Sequence, residues 1–180
     1  MSDTDRLFIV TGGPGSGKST LIDALAAQGL SHMPEAGRAI IRDQVAIGGT
    51  ALPWSDRLAF AELMLSWEMR SYRAAQALAG PVVFDRGMPD VVGYLRLSGL
   101  SVPPHVERAA RSFRYHHRVF VAPPWPAIFV QDTERKQSIE EAEATYRTMV
   151  DVYSGLGYEL VPLPLAPVPE RVRFVREIIG

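Results

Sequence analysis

The chain has 180 residues, of which 47% are hydrophobic and 22% charged, and its formal net charge is −1. Such a composition indicates a folded globular protein rather than a disordered one, and a nearly neutral chain has no overall field to attract nucleic acid or an anionic membrane. The chain has no cysteine, which excludes disulfides, thiolate metal sites and cysteine nucleophiles.

The N-terminus reads MSDTDRLFIVTGG, with two early acids before an apolar run, and it resembles neither a signal peptide nor a transit peptide. No apolar run approaches the roughly 18 residues that span a bilayer. Tryptophan and arginine form no basic aromatic stripe. We therefore expect one cytoplasmic domain over residues 1–180, with no membrane and no nucleic acid as partner, and the oligomeric state stays open.

Five short apolar runs predict strands, and stretches with helical spacing lie between them. The predicted strands are Leu7–Thr11, Leu30–Met33, Pro81–Asp85, Arg118–Ala122 and Tyr158–Leu163. Residues 56–79, 138–153 and 168–179 have helical spacing; in the first of these the expected core-facing stripe is Phe60, Leu63, Met64, Trp67 and Ala74. This alternation predicts an α/β fold with a parallel sheet covered by helices on both faces.

A glycine-rich loop follows the first predicted strand and matches the phosphate-binding loop pattern. It reads GGPGSGKS over residues 12–19, and a helical pattern comes directly after it. Glycines let successive N–H groups point at phosphate oxygens, the lysine reaches the β- and γ-phosphates, and the serine hydroxyl binds Mg²⁺. The predicted nucleotide-binding residues are Gly13, Pro14, Gly15, Ser16, Gly17, Lys18, Ser19 and Thr20. ATP and Mg²⁺ are the cofactors that this loop predicts.

The third predicted strand ends in Asp85, which is immediately followed by Arg86. An acid at the end of a neighbouring strand is the expected second Mg²⁺ partner beside Ser19. Arg86 stands where many ATPases place a second, water-activating acid. The chain also has no asparagine, so it lacks the guanine-reading element of common GTPases. Extra positive charge without a water activator favours transfer of a phosphoryl group to another molecule, although a structural salt bridge of Arg86 is the alternative.

The loop at residues 12–19, PEAGRAI at 34–40 and FDRGMPD at 84–90 together resemble the nucleoside- and nucleotide-kinase branch of P-loop proteins. The closest resemblance is to the kinase-like ATPase domains of the AAA type that are grouped with ribosylnicotinamide kinase, and residues 132–164 look like the C-terminal half of that group. The resemblance implies a three-layer fold with a five-stranded parallel sheet in the order 2-3-1-4-5. It also implies a small lid at about residues 123–140.

The resemblance also suggests roles for residues that would bind the molecule that accepts the phosphoryl group. Glu35 would be the general base near the acceptor hydroxyl, Arg38 and Arg42 would bind substrate from the same helical face, and Arg86 would contact phosphate. Asp90 would bind a sugar hydroxyl. For the first three residues a solvated charge pattern on a helix is the alternative, and for Asp90 it is helix capping.

The implied lid carries two basic residues, Arg135 and Lys136. Arg135 would stabilise the charge of the transferred group. Nucleotide kinases with large lids have several arginines there, so this thinner lid disfavours a nucleoside monophosphate as acceptor. Ser138 and Glu141 form a capping-box pattern that predicts a helix start. The loop PLPLAPV, residues 162–168, is where similar kinases hold the base.

Two hypotheses remain. The first is an ATP- and Mg²⁺-dependent phosphotransferase acting on a small molecule, a nucleoside-like or nucleotide-like phosphate acceptor, with weak ATPase activity as a side reaction. Lys18, Glu35, Arg86 and Arg135 are its predicted catalytic residues. The second is an ATP-binding regulatory module that signals to a protein partner. A kinase requires Glu35, Arg38 and Asp90 to converge near the γ-phosphate, and a regulatory module does not.

Overall fold

A computed structural model describes residues 3–128 and 138–180. Its central feature is a five-stranded, fully parallel sheet in the order β2-β3-β1-β4-β5. The strands are β1 (Leu7–Gly12), β2 (Ser31–Met33), β3 (Val82–Asp85), β4 (Arg118–Ala122) and β5 (Glu159–Pro162). The predicted strand positions and the predicted order are both confirmed.

Helices connect the strands, because parallel pairing requires a crossover between them. They are α1 (Lys18–Ala27), α2 (Ala36–Ile47), α3 (Arg57–Gln76), α4 (Met88–Leu97), α5 (Pro104–Ser112), α6 (Ile139–Gly155) and α7 (Val168–Ile179). The capping box predicted at the start of α6 is present: the Glu141 amide donates to Ser138 Oγ at 3.2 Å and the Ser138 amide donates to Glu141 Oε2 at 2.8 Å. None of the described helices is both long and apolar enough to cross a membrane.

Alternate residues of the strands point to opposite faces and build a separate core on each. On one face Leu7, Ile9 and Phe84 pack with side chains of α3, α4, α5 and α6. On the other face Val10 and Phe120 pack with α1 and α7. The sheet is therefore the middle layer of three, which confirms the predicted layering.

The buried face of α3 differs from the predicted stripe. Leu63 is 37% exposed and Ala74 is exposed, whereas a row offset by one residue is buried. That row consists of Ala61, Leu65, Glu68, Tyr72 and Ala75. The reason is that α3 packs against two clusters: this row faces the main core, while Phe60, Met64 and Trp67 face a smaller cluster on α2. Periodicity alone does not tell which of two adjacent stripes meets the sheet.

Candidate active site

The phosphate-binding loop lies between the end of β1 and the start of α1. Lys18 is 6% exposed, and its Nζ donates to the Gly13 carbonyl at 2.6 Å and to Ser16 Oγ at 3.3 Å. Gly17 has a φ of 75°, a left-handed conformation that favours glycine. The loop is thus folded around its lysine at a helix N-terminus, which is the geometry that binds phosphate. The Ser19 and Thr20 side chains are exposed at this end of α1.

Asp85 is the last residue of β3 and pairs in the sheet with Val10 of β1. Val10 lies two residues before the phosphate-binding loop. Asp85 is 7% exposed, and its Oδ1 has no hydrogen-bond partner among the described residues. Burial raises the pKa of Asp85, and the charges of Lys18 and Arg86 only partly oppose this. A buried, unsatisfied carboxylate oxygen next to a phosphate loop fits a Mg²⁺ ion or one of its water ligands.

Arg86 lies between the phosphate-binding loop and two acidic residues. Its Nε lies 3.4 Å from Glu35 Oε1, its Nη1 lies 3.3 Å from Asp90 Oδ1, and the same Nη1 donates to the Gly12 carbonyl at 3.1 Å. Burial opposes the charge of Arg86, but Glu35 and then Asp90 outweigh it and raise the pKa of the guanidinium. The side chain therefore stays charged and in one orientation.

Asp90, in the first turn of α4, accepts hydrogen bonds from β1, from α6 and from the turn before α4. Its Oδ1 accepts from Thr11 Oγ1 at 2.5 Å as well as from Arg86, and its Oδ2 accepts from the Tyr153 hydroxyl at 2.5 Å and the Gly87 amide at 3.0 Å. The capping role considered for Asp90 is thus present in the structure. Because both oxygens have protein donors, this geometry favours a positioning role, while the predicted contact with a sugar hydroxyl stays a prediction.

The remaining residues that the sequence predicts to bind the acceptor lie at different distances from this centre. Glu35 immediately precedes α2, and Arg38 Nε lies 3.8 Å from its Oε2 at the more exposed edge. Arg42 is exposed and forms no ion pair with a described residue. The structure therefore brings Glu35, Arg38, Arg86 and Asp90 together and leaves Arg42 apart. Arg135, together with the central part of the predicted lid, lies outside the described residues.

Glu68 is a buried acid that the sequence reasoning missed. It lies on α3, is 4% exposed, and interacts electrostatically with Asp90, Asp85, Arg86 and Glu35. Burial raises its pKa well above the ordinary value, and the negative charge of Asp90 adds to the effect. The available signal was its spacing: Glu68 follows Ala61 by seven residues and Leu65 by three, on the stripe that faces the core.

Arg171 is a second buried charge that the sequence reasoning missed, and it lies beside the phosphate-binding loop. This residue of α7 is 1% exposed, its Nη1 donates to the Gly17 carbonyl at 3.3 Å, and its guanidinium lies 5.7 Å from the centre of the Trp125 ring. Burial lowers its pKa. Its side chain thus links α7 and the segment after β4 to the phosphate loop. Its spacing from Val168 and Val175 places it on the core-facing side of α7.

Gly13→Ala should displace the phosphate loop. A Cβ on Gly13 would collide with the backbone carbonyl of Ala142 on α6, and neither backbone can yield freely. We expect the free energy of unfolding to fall by about 1–3 kcal/mol and MgATP to bind more weakly, as measured by denaturant unfolding and calorimetric titration. Gly155→Ala is the matched control, because a Cβ there meets no atom within 4 Å. Equal behaviour of both variants would contradict this packing argument.

Glu68→Gln should stabilise the unliganded protein, increasingly so as the pH rises. A carboxyl whose pKa is raised on folding is bound to its proton more tightly in the native state, so its ionisation lowers stability above its ordinary pKa of 4.5. Each 1 kcal/mol gained would raise the melting temperature by about 2–4 °C. Melting curves of both proteins from acid to neutral pH measure this. A difference that shrinks with rising pH would show that Glu68 is stabilised as a carboxylate.

The parallel sheet in the order 2-3-1-4-5 and the lysine-bearing phosphate loop define the P-loop fold of nucleoside and nucleotide kinases. The sequence matches the AAA domain family over residues 7–171, and the chain belongs to that family. No curated protein sequence matches it significantly.

Solved structures agree with this fold at low sequence identity. A deoxyadenosine kinase from M. mycoides superposes with a TM-score of 0.70 at 12% identity, covering 96% of this chain and 97% of the kinase. The NadR protein, solved in complex with NR, gives 0.67 at 17% identity, covering 98% of this chain but 50% of NadR. A thymidylate kinase from Ehrlichia chaffeensis gives 0.64 at 13% identity, covering 97% of each chain.

Proposed function

We propose that the protein is an ATP- and Mg²⁺-dependent phosphotransferase that acts on a small-molecule acceptor, nucleoside-like or nucleotide-like. The observation that carries this proposal is the position of Arg86. Its guanidinium bonds to the phosphate loop at Gly12 and lies 3.4 Å from the carboxylate of Glu35. A fixed cation and a candidate base therefore stand side by side next to the place where a γ-phosphate would lie.

On the donor side, the loop amides and Lys18 would bind the β- and γ-phosphates. Ser19 and Asp85 would hold Mg²⁺, which neutralises phosphate charge when bound. Arg86 uses Nε and Nη1 for its protein partners, and its Nη2 makes no hydrogen bond with a described residue. That nitrogen would donate to the transferring phosphoryl group, whose charge is spread over its equatorial oxygens.

On the acceptor side, Glu35 would take the proton from the attacking hydroxyl. The hydroxyl oxygen forms a bond to the γ-phosphorus, the bond from that phosphorus to the β–γ bridging oxygen breaks, and ADP leaves with the electron pair. Asp90, fixed by Thr11 and Tyr153, would keep the Arg86 guanidinium aligned during this step.

The test is ATP consumption with Mg²⁺ across a panel of nucleosides, nucleotides and small sugars, with an acceptor-free control. A compound that raises consumption well above the control and yields a phosphorylated product would support the proposal and identify the acceptor. A flat panel together with tight MgATP binding would contradict it and favour the regulatory module.

A further inference from the structure

Two arginines of α7 bond to backbone carbonyls at opposite ends of α1. Arg171 Nη1 donates to the Gly17 carbonyl, at the phosphate-binding loop, at 3.3 Å. Arg176 Nη2 donates to the Gln28 carbonyl, at the C-cap of α1, at 2.8 Å. The positive end of a helix dipole is its N-terminus, so a cation is stabilising at the C-terminal end and is repelled at the N-terminal end. Arg176 therefore lies where it stabilises α1, and Arg171 lies where it does not.

The Gly17 carbonyl does not depend on Arg171 for a hydrogen bond. It already accepts from the Leu21 amide at 3.2 Å, as a carbonyl in the first turn of a helix does. The Gln28 carbonyl differs, because the last carbonyls of a helix have no partner within the helix. Replacing Arg171 would thus leave the Gly17 carbonyl with a donor, whereas replacing Arg176 would remove the donor that Gln28 uses.

Arg171 is buried without an opposite charge. It is 1% exposed, its Nε has no hydrogen-bond partner, and no carboxylate of the described ranges lies within ion-pair distance of it. The other two cations beside the loop have acids nearby. Lys18 interacts with Asp85, and Arg86 lies 3.4 Å from Glu35. Since an unpaired buried charge is costly, stability of the unliganded protein does not account for a cation at position 171.

Arg171 lies against the loop itself. A Cβ on Gly17 would stand 2.6 Å from Arg171 Nη1, so a side chain at position 17 would displace the guanidinium. The peptide group whose oxygen accepts from Arg171 carries the Lys18 N–H at its other end. Lys18 is the first residue of α1, so this N–H has no acceptor within the helix. A cation at the oxygen polarises the peptide group and strengthens its N–H as a donor, and phosphate oxygens are the acceptors that such loop amides bind.

We propose that Arg171 positions the donor nucleotide: its buried charge, transmitted through the Gly17–Lys18 peptide group, is the countercharge for the phosphate chain. This inference rests on the nucleotide binding in the proposed function and adds a residue to it. The phosphate chain of a nucleoside triphosphate stays negative overall with Mg²⁺ bound. In buried surroundings its attraction to the guanidinium is little screened by salt. The bound nucleotide thus supplies the opposite charge that the unliganded protein does not give Arg171.

The test measures the affinity of the wild type, Arg171→Met and Arg171→Lys for two probes. One is MgATP, and the other is inorganic tripolyphosphate with Mg²⁺, which has neither base nor sugar. Calorimetric titration gives the dissociation constants, and melting curves give the stability of the unliganded proteins. Methionine keeps much of the apolar part of the side chain and removes the charge.

We expect Arg171→Met to bind both probes about 10- to 100-fold more weakly, the scale of one lost interaction with a charged group. Its unliganded melting temperature should equal or exceed that of the wild type, because a buried charge without a partner is gone. Arg171→Lys keeps the charge and should bind both probes more tightly than Arg171→Met.

Arg176→Met is the matched control. Arg176 lies on the same helix, its Nε is also buried without a hydrogen-bond partner, and its guanidinium also bonds to α1, but at the end away from the loop. We expect the opposite pattern: unchanged affinity for both probes and a lower melting temperature, since a cation at the C-terminal end of α1 stabilises it.

Four results would overturn the inference. Arg171→Met could bind both probes as tightly as the wild type, or bind more weakly with a lowered unliganded melting temperature, which is the result for a structural support of the loop. A loss for MgATP but not for tripolyphosphate would assign Arg171 to the base or sugar. Arg171→Lys binding no better than Arg171→Met would exclude the charge as the cause.

Failure of the proposed function looks different. A protein that binds both probes in the expected Arg171-dependent way but phosphorylates no acceptor would refute the transfer reaction and leave the role of Arg171 intact. A wild type that binds neither probe would overturn both.

Discussion

Arg86→Ala should lower turnover by about 100- to 1,000-fold, the scale of one lost transition-state contact, while MgATP binding changes little. Alanine adopts the left-handed backbone of this position no more easily than arginine does, so the substitution removes the guanidinium without altering the backbone preference. The two acids beside it lose a partner, but Asp90 keeps its bonds from Thr11, Tyr153 and the Gly87 amide. The fold should therefore survive.

The measurements are steady-state kinetics on an acceptor found in the panel and calorimetric titration with MgATP. Arg86→Lys serves as the second variant, because lysine keeps the charge and loses the forked geometry that reaches Glu35, Asp90 and Gly12 together. We expect it to recover only part of the lost turnover. If MgATP binding collapsed and the melting temperature fell sharply in Arg86→Ala, the arginine would be a structural residue and its catalytic role would be wrong.

Glu35→Gln should reduce turnover by about 100- to 10,000-fold, the usual contribution of a general base. Glutamine keeps the length of the side chain and can still face Arg86 and Arg38, but it cannot accept the hydroxyl proton. The unfolding transition should stay close to that of the wild type, because Glu35 is partly exposed and lies just outside α2.

Asp43→Asn provides the control for Glu35→Gln. Asp43 lies on α2 as well and is exposed to solvent, so losing its charge should leave turnover unchanged. A pH–rate profile separates the possible roles: removing a base abolishes the acidic limb of the profile, whereas removing a partner of Arg86 only lowers the plateau. Near-normal turnover of Glu35→Gln would show that Glu35 serves to hold the two arginines.

The phosphate-loop side of the candidate site is the part that the sequence predicts most directly, because it is built from consecutive residues. Residues 12–19 lie in one loop, and strand pairing alone carries Asp85 to its side, since Val10 and Asp85 are in register. The sheet order follows from the family resemblance, and the parallel pairing follows from the alternation of strands and helices. In each case the positions depend on local sequence or on a fixed topology.

The buried charges around Arg86 and the phosphate loop are harder to predict because they depend on which face of a helix turns inward. Glu68 looks like an ordinary charge on a 20-residue helix, and its burial follows only from the way α3 packs between two apolar clusters. Arg171 is similar, since its contact with Gly17 joins residues 154 positions apart in the chain. Arg135 stays a prediction, because it lies outside the described residues.

The backbone of Arg86, with a φ of 75°, is the sole left-handed conformation among the described non-glycine residues. An L-residue held there costs roughly 1–2 kcal/mol, and glycine would remove that cost at once. Arg86→Gly would relieve this strain but would also leave Glu35 and Asp90 without their guanidinium partner, so the melting temperature of that variant measures which of the two contributions is larger.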